Sequence, residues 1–270
     1  MKKTCPVITL LFFLFLTQSK AQDNSSRFEG RNLVTFGNSI TAAQNSWAYQ
    51  LSGELKFAKL YNGAVGGAIW SKRNRTTQTG LKISTQTYGD TDFAGISNKG
   101  FSNPDDLEFQ KRINNCAIVH IQKYLSDKSA PAPDLIILSY GTNDLTGAAM
   151  LGDAEVSLKE RKLENLEVTN LAGSSTWCLR TLKERFPKVK LYLALPLQAA
   201  KDNKNRENLR KIAVITKICD GLSVPYFNCF EESGITQQNS AQYLRDGLHP
   251  NEEGKTVHAN YMIRKLKQAN

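Results

Sequence analysis

The chain has 270 residues, of which 40% are hydrophobic and 22% are charged. These values are typical of a globular protein long enough to bury one large core, and they exclude a chain too short or too polar to fold on its own. The net charge of +10 could favour anionic polymers or membrane surfaces.

The basic residues of the second half of the chain are interleaved with Glu184, Asp202 and Glu207 rather than with aromatic residues. We therefore expect solvated helix faces and no nucleic-acid groove. The basic residues concerned are Lys183, Arg185, Lys188, Lys201, Lys204, Arg206, Arg210 and Lys211.

Residues 1–21 are predicted to be a secretory signal peptide. Lys2 and Lys3 precede an apolar stretch at 7–16, and Ser19-Lys20-Ala21 resembles a small-residue cleavage site. The apolar stretch is too short to be read as a membrane span. Cys5 lies before this stretch, which is not the position of a lipid-anchor cysteine. We expect an exported protein, periplasmic or extracellular, that starts near Gln22 and has no stable membrane insertion.

The predicted elements of the first half begin after a polar, disordered or loosely packed tail at 22–31. A strand at 32–36 starts a domain that runs from 32 to 270. Trp47, Leu51 and Leu55 recur every four residues and predict a helix. A second strand passes through Leu60 and Tyr61 into a glycine-rich turn at 62–68, whose composition indicates close backbone approach or positive φ.

The second half alternates between helices and strands. Residues 71–106 show no apolar period, and so long a loop is usually functional or mobile. Apolar runs predict strands at 135–138, 189–195 and 224–227, the last at a sheet edge because it contains Pro225. Helices are predicted from a stripe at 113–124, at 176–186, at 208–222 with Leu209, Ile212, Ala213, Thr216 and Cys219 on one side, and from Pro250 onwards; 145–170 is polar and helical at best.

Four cysteines remain after the leader: Cys116, Cys178, Cys219 and Cys229. They allow three full connectivities in an oxidising compartment. Cys219 and Cys229 are closest in sequence and are the pair we expect, whereas Cys116 and Cys178 are expected to be buried thiols. No CxxC motif occurs, so we predict no metal site, and no cofactor is expected.

Alternating strands and helices predict a three-layer α/β/α sandwich around about five parallel strands. Parallel sheets bind ligands beyond the carboxyl ends of their strands. Ser39, Gly67 and Asn143 follow the first three predicted strands, so we expect their loops to meet at one edge.

A serine becomes a strong nucleophile when a base takes its proton and a carboxylate orients that base. His249 has such a carboxylate three residues earlier, at Asp246. His120 lies on an apolar helical stripe and is expected to be a hydrogen-bonded core residue, and His258 is expected to have a surface or packing role. Candidate donors to an oxyanion are the N–H groups of Ser39 and Gly67 and the side-chain amide of Asn143; a tight turn would also explain the glycines, and turn capping the asparagine.

These motifs resemble the four sequence blocks of the SGNH hydrolases, also called the GDSL esterase/lipase superfamily. The blocks are Gly37-Asn38-Ser39, the glycine turn at 62–67, Gly141-Thr142-Asn143-Asp144 and Asp246-Gly247-Leu248-His249-Pro250, and they span 33–266 in the expected order. The resemblance implies a flavodoxin-like fold and metal-free ester hydrolysis, with Ser39 as nucleophile, His249 as base, Asp246 orienting the histidine, and Gly67 and Asn143 completing the oxyanion hole. Asn38 replaces the family's usual aspartate, which bears on the geometry of the serine loop.

Other functions remain open at this point. No G-x-S-x-G occurs, which disfavours a standard α/β-hydrolase, and Gly254-Lys255-Thr256 lacks the first glycine of a phosphate-binding loop. A secreted glycan-binding module without activity is the alternative of another class.

The substrate is expected to be a small-molecule or polysaccharide ester. The polar 71–106 loop, with Trp70, Tyr88 and Asn38 as candidate substrate contacts, favours removal of O-acetyl groups from carbohydrates over a lipid or acyl esterase. We also consider that this loop orders only when substrate binds. The oligomeric state stays open.

Overall fold

The computed structural model describes residues 24–72 and 114–269. At its centre is a parallel sheet of five strands in the order β2-β1-β3-β4-β5. The strands are β1 (Asn32–Gly37), β2 (Lys59–Asn62), β3 (Leu135–Ser139), β4 (Lys190–Ala194) and β5 (Tyr226–Phe227). Each agrees with a predicted strand, and the strand with Pro225 next to it does lie at an edge.

Alternate residues of the central strands face opposite sides of the sheet, as the twofold period of a strand requires. In β3, Ile136 and Leu138 pack into one apolar cluster, and Leu135 and Ile137 pack into another on the other face. All four are at most 1% exposed. The apolar run is therefore a strand covered on both sides, as expected for a parallel sheet.

Helices cover both faces and complete the predicted three-layer α/β/α sandwich. The helices are α1 (Ser39–Ala42), α2 (Trp47–Glu54), α3 (Ala117–Ser126), α4 (Ala148–Leu151), α5 (Ala154–Lys159), α6 (Leu171–Arg185), α7 (Asp202–Gly221), α8 (Cys229–Glu232), α9 (Ser240–Tyr243) and α10 (Glu252–Gln268), with short 3-10 turns at Asn24–Arg27 and Leu163–Asn165. The layer on the first cluster contains α3, α6 and α7, and the layer on the second contains α2 and α10.

The predicted tail at 22–31 is wrong for its second part. Phe28 is 5% exposed and packs on Phe57 with 5.6 Å between ring centroids. The Arg27 guanidinium donates to the carbonyls of Leu266, in the last turn of α10, and of Ala269, the C-cap of this helix. The chain is thus anchored to the domain before β1 begins. Pro250 also lies outside the helix it was expected to begin, because Asn251 is the N-cap of α10.

The buried face of α7 differs from the predicted one. Leu209, assigned to the buried side, is 47% exposed, whereas Lys211 is fully buried. The buried stripe runs through Asn205, Asn208, Lys211, Ile215, Ile218 and Cys219, of which only Cys219 was among the residues assigned to the buried side. Three polar residues occupy the first half of this stripe, so counting apolar residues selects the wrong side of the helix.

The expected disulfide between Cys219 and Cys229 is wrong. Both are free, buried thiols, but Cys219 packs in the cluster on one face of the sheet and Cys229 in the cluster on the other. Closeness in sequence does not bring them together because β5 passes between them. Cys116 and Cys178 are buried on the same side of the sheet.

Two histidines lie away from the serine. His120 Nδ1 is 3.0 Å from the Tyr140 hydroxyl, which confirms the predicted hydrogen-bonded role, and burial lowers its pKa to about 4. His258, at 2% exposure, packs against the Trp47 ring with 6.0 Å between centroids. Burial lowers the pKa of His258 to about 3, so it is neutral in the folded protein at ordinary pH.

Within 24–72 and 114–269, no helix has both the length and the apolar character needed to cross a membrane.

Folding stability is expected to fall as the pH is lowered from 7 to 5. The unfolded chain protonates His258 near pH 6.5, and the folded chain does so only near pH 3, so the unfolded state binds more protons in this interval. In His258→Gln, the loss of unfolding free energy between pH 7 and pH 5 should be smaller than in the wild type by about 2 kcal/mol. Urea unfolding at both pH values measures the difference.

The interval from pH 7 to pH 9 is the control, because His258 is neutral there in both states. The two proteins should show parallel stability curves in that range. Parallel curves below pH 7 as well would contradict the assignment of a buried, neutral His258.

Candidate active site

The end of β1 places Ser39 at the first position of α1. Asn38 is the N-cap of this helix, and its Oδ1 accepts a hydrogen bond from the Ile40 N–H at 3.0 Å. Gly37 permits the turn, because a Cβ there would lie 2.6 Å from Thr41 Oγ1 and 2.7 Å from the Ser139 carbonyl oxygen. The Ser39 N–H, in the first turn, has no partner within the helix.

Asn38 is 2% exposed, and its side-chain oxygen is engaged in the cap. The structure therefore gives it a role in shaping the serine loop and not the substrate contact that we expected. An asparagine oxygen caps a helix as an aspartate oxygen does. The cap that Asn38 makes is therefore one that an aspartate at this position could also make.

A tight loop between α9 and α10 presents His249. Asp246 Oδ1 accepts hydrogen bonds from the Leu248 N–H at 3.0 Å and the His249 N–H at 2.8 Å, so the carboxylate folds the chain back over itself. Gly247 has a φ of 81°, a left-handed conformation that favours glycine. The Arg245 N–H donates to the His249 carbonyl at 2.9 Å and closes the loop.

Ser39, His249 and Asp246 form one hydrogen-bonded chain. Asp246 Oδ2 is 2.8 Å from His249 Nδ1, and His249 Nε2 is 2.9 Å from Ser39 Oγ. An ionised carboxylate can only accept, so the proton lies on Nδ1 and Nε2 is free to accept from the serine hydroxyl. Residues 210 positions apart are thereby brought into proton-transfer distance.

Asp246 is suited to remain ionised. Partial burial raises the pKa of its carboxyl, but the hydrogen bonds from the His249 N–H and ring outweigh burial and hold the pKa below its usual value. The His249 side chain is 9% exposed, whereas that of Asp246 is 48% exposed. The imidazole is thus shielded while its orienting acid faces solvent.

The glycine turn lies against the end of β1. The Val65 N–H donates to the Gly37 carbonyl at 3.0 Å, and the Ala68 N–H donates back to the Val65 carbonyl at 3.2 Å, which closes a β-turn over Gly66 and Gly67. Gly67 has a φ of 69°, as the third position of a type II turn requires. The turn hydrogen bond does not use the Gly67 N–H.

Asn143 joins the loop after β3 to this turn. Its Nδ2 donates to the Ala68 carbonyl at 3.2 Å and carries a second N–H that this bond does not use. The Asn38 N–H also donates to the Ser139 carbonyl at 3.3 Å. The three loops predicted to meet do meet, at the point where the strand order reverses between β1 and β3, which is where open α/β sheets bind ligands.

Two charged residues behind this edge were not predicted to have a role. The Asp144 carboxylate accepts from the Trp70 N–H at 2.9 Å and from the Ser71 N–H at 3.3 Å. Lys211 Nζ donates to the carbonyls of Thr142 and Asp144. Lys211 was predicted to lie on a solvated helix face, and this is wrong; its fit to the stripe with Ile215 and Ile218 is the sequence signal that could have revealed it.

The predicted contact of Trp70 with substrate is not supported. Trp70 is fully buried, and its ring packs on Tyr140 with 4.9 Å between centroids, so it cannot stack on a sugar. Tyr88 and the proposed ordering of the 71–106 loop lie outside the described residues, apart from positions 71 and 72. In the described part of the chain, no three His, Cys, Asp or Glu side chains are grouped so as to hold a metal ion.

The fold resembles several solved structures. A protein from Lactobacillus plantarum is 17% identical, with a TM-score of 0.59 and coverage of 90% of this chain and 99% of that one. A protein described as a GDSL-like lipase from Bacteroides uniformis is 13% identical, with a TM-score of 0.54 and coverage of 88% and 96%. An acetylxylan esterase from Geobacillus stearothermophilus is 13% identical, with a TM-score of 0.48 and coverage of 89% and 96%. At these identities, the likeness of the first two proteins, with TM-scores above 0.5, concerns the fold alone.

No curated protein sequence matches the chain. Residues 35–257 match the GDSL-like lipase/acylhydrolase family, a range that contains the serine loop, the glycine turn, the Asn143 loop and the histidine loop. The chain therefore belongs to the GDSL-like lipase/acylhydrolase family and is an ester hydrolase.

Proposed function

We propose that the protein is an exported serine esterase that removes O-acetyl groups from carbohydrates. In this proposal Ser39 is the nucleophile, His249 the general base and Asp246 the group that orients the histidine. The observation that carries the assignment is the continuous chain of hydrogen bonds, 2.9 Å from serine to imidazole and 2.8 Å from imidazole to carboxylate.

The proposed reaction has two steps. His249 Nε2 takes the proton of Ser39 Oγ while this oxygen attacks the ester carbonyl, and the protonated imidazole then gives the proton to the departing alcohol. Water enters, loses a proton to Nε2 and attacks the acyl carbonyl; the bond from Ser39 Oγ to the acyl carbon then breaks, Nε2 returns the proton to Oγ, and the acid leaves. Asp246 stays ionised throughout and favours the imidazolium that forms in each step, in keeping with its lowered pKa.

The tetrahedral intermediate needs donors where its negative charge develops. The Ser39 N–H at the start of α1, the Gly67 N–H in the type II turn and the second N–H of Asn143 are the groups that we assign to this role. Each belongs to backbone or side chain already fixed by other bonds: the Asn38 cap, the closed turn and the bond to Ala68. Donors held in advance need no reorganisation during the reaction.

Two features support a short acyl group on a polar carrier. A lipase presents a wide apolar patch for its substrate. Of the site loops, the described residues expose only the isolated apolar side chains of Val65, at 36%, and Leu145, at 38%. The composition of the 71–106 segment is polar as well.

Ser39→Ala should lower kcat/KM for a short ester by at least about 10³-fold, because the nucleophile is lost. The same substitution should abolish covalent labelling by a fluorophosphonate probe. Ser52→Ala, on the neighbouring helix α2, is the matched control and should keep both labelling and activity. A Ser39→Ala protein that still hydrolyses esters would refute the assigned nucleophile.

Hydrolysis of acetyl esters should exceed that of octanoyl esters by at least about tenfold in kcat/KM, since each extra methylene must find apolar surface to bind. Release of acetate from acetylated polysaccharides, compared in wild type and Ser39→Ala, measures activity on the proposed carrier. A preference for octanoyl or longer chains would instead favour the lipid or acyl esterase.

Export is expected to remove residues 1–21. Mass spectrometry of the protein recovered outside the cytoplasm should find an N-terminus near Gln22. Replacing Lys2 and Lys3 by glutamate should reduce the exported fraction, because the leader needs its positive end. An intact N-terminus on an active, cytoplasmic protein would contradict export.

A further inference from the structure

Lys211 is a buried cation directly behind the Asn143 loop. It lies in the middle of α7 and is fully buried, although lysine is almost never so placed without a partner. Its Nζ donates to the Thr142 carbonyl at 3.0 Å and to the Asp144 carbonyl at 3.4 Å. These are the carbonyls on either side of Asn143 in the sequence.

The loop is also held from its other side. The Asp144 carboxylate binds the N–H groups of Trp70 and Ser71, three and four residues beyond Gly67. Asn143 itself donates to the Ala68 carbonyl. The Asn143 amide is thus fixed between a lysine on one side and the chain that follows the glycine turn on the other.

Among the residues described, no carboxylate oxygen lies within 4 Å of the Lys211 Nζ, so no close ion pair in this part of the chain accounts for the burial. Burial, with a smaller effect of Lys204, lowers the pKa of Lys211 to about 7. The carboxylates of Asp144 and Glu207 favour the charged form but do not offset the burial. A buried charge whose hydrogen bonds go to backbone carbonyls is costly, and an apolar side chain of similar size would serve the packing of α7 better. The burial of Lys211 is therefore explained by the hydrogen bonds that its Nζ makes to the Asn143 loop.

We propose that Lys211 is a positioning residue for ester hydrolysis: its ammonium group holds the carbonyls of Thr142 and Asp144 so that the Asn143 amide points at the oxyanion. This inference rests on the proposed function and adds a residue to it. Lys211 contacts neither the substrate nor the reacting atoms, and acts only through Asn143.

A role through Asn143 and a role in fold stability predict different kinetics. An oxyanion donor acts in the transition state, so its misplacement lowers kcat and leaves KM unchanged. A loss of stability lowers the amount of folded enzyme and leaves the kcat of the folded fraction as it was. The effect of Lys211 should also vanish when the Asn143 amide is already absent.

The experiment compares Lys211→Met, Asn143→Ala and the double variant with the wild type on one short ester. Lys211→Met should lower kcat about 10- to 100-fold, with KM changed less than about twofold. This loss is expected because the Asn143 amide would be displaced but still present. In the Asn143→Ala background, the same change should lower kcat less than about threefold. Active enzyme is counted by fluorophosphonate titration.

Two further variants separate positioning from folding. Ile218→Ala removes buried apolar volume about two turns along the same helix, and should destabilise the protein without lowering kcat per titrated site. Lys211→Gln keeps a side-chain N–H donor and should lose less kcat than Lys211→Met. If both Lys211 variants are unfolded while Ile218→Ala is folded and active, Lys211 serves stability and the inference is overturned.

The remaining outcomes distinguish this inference from the proposed function. An active Ser39→Ala protein refutes the proposed function itself. If Ser39→Ala is inactive, the proposed function stands. If Lys211→Met then lowers kcat by the same factor with and without the Asn143 amide, only the role of Lys211 is refuted.

Discussion

The parallel pairing of β1 with β3 is the constraint on which the site depends. It sets Gly37 opposite Ser139, so that the serine loop and the Asn143 loop leave the sheet side by side. Because β2 lies on one side of β1 and β3 on the other, the chain connections diverge there and leave a crevice at the carboxyl edge. A slip of one residue would turn every side chain of β1 to the other face and move Ser39 away from the site.

His249 reaches this crevice because α9 and α10, the helices on either side of its loop, pack on the same face of the sheet as α2. Helix α10 carries Met262 and Leu266 into the apolar cluster that also holds Trp47 and Leu51 of α2. At the surface, Lys255 Nζ donates to the Gln44 carbonyl at 2.9 Å, which joins the first turns of α10 to the chain between α1 and α2. The distance between Ser39 and His249 is therefore fixed by helix packing as well as by the hydrogen bond that joins them.

The sequence predicts those parts of the fold that depend on local pattern. The strands and the convergence of Ser39, Gly67 and Asn143 follow from apolar runs and their order. The pairing of His249 with Asp246 follows from their spacing of three residues. The predictions for Trp70, Lys211 and the Cys219–Cys229 pair fail for one common reason: each depends on which side of the chain segment faces the core, whether that segment is a loop, as at Trp70, or a helix, as at Lys211. Local composition is a poor guide where polar residues occupy the buried stripe, as in α7.

The polar residues in that stripe reflect a requirement of the site edge. Loops buried at the end of a sheet have backbone N–H and carbonyl groups that no neighbouring strand can satisfy. Here side chains satisfy them: Asp144 accepts from the N–H groups of Trp70 and Ser71, and Lys211 donates to two carbonyls. Asn208 does the same for the Leu197 carbonyl after β4, at 3.1 Å. At the centre of the sheet, the backbone groups are hydrogen-bonded between strands, so the side chains around them can be apolar. The buried polar side chains lie at the carboxyl edge, where these backbone hydrogen bonds end and the site is formed.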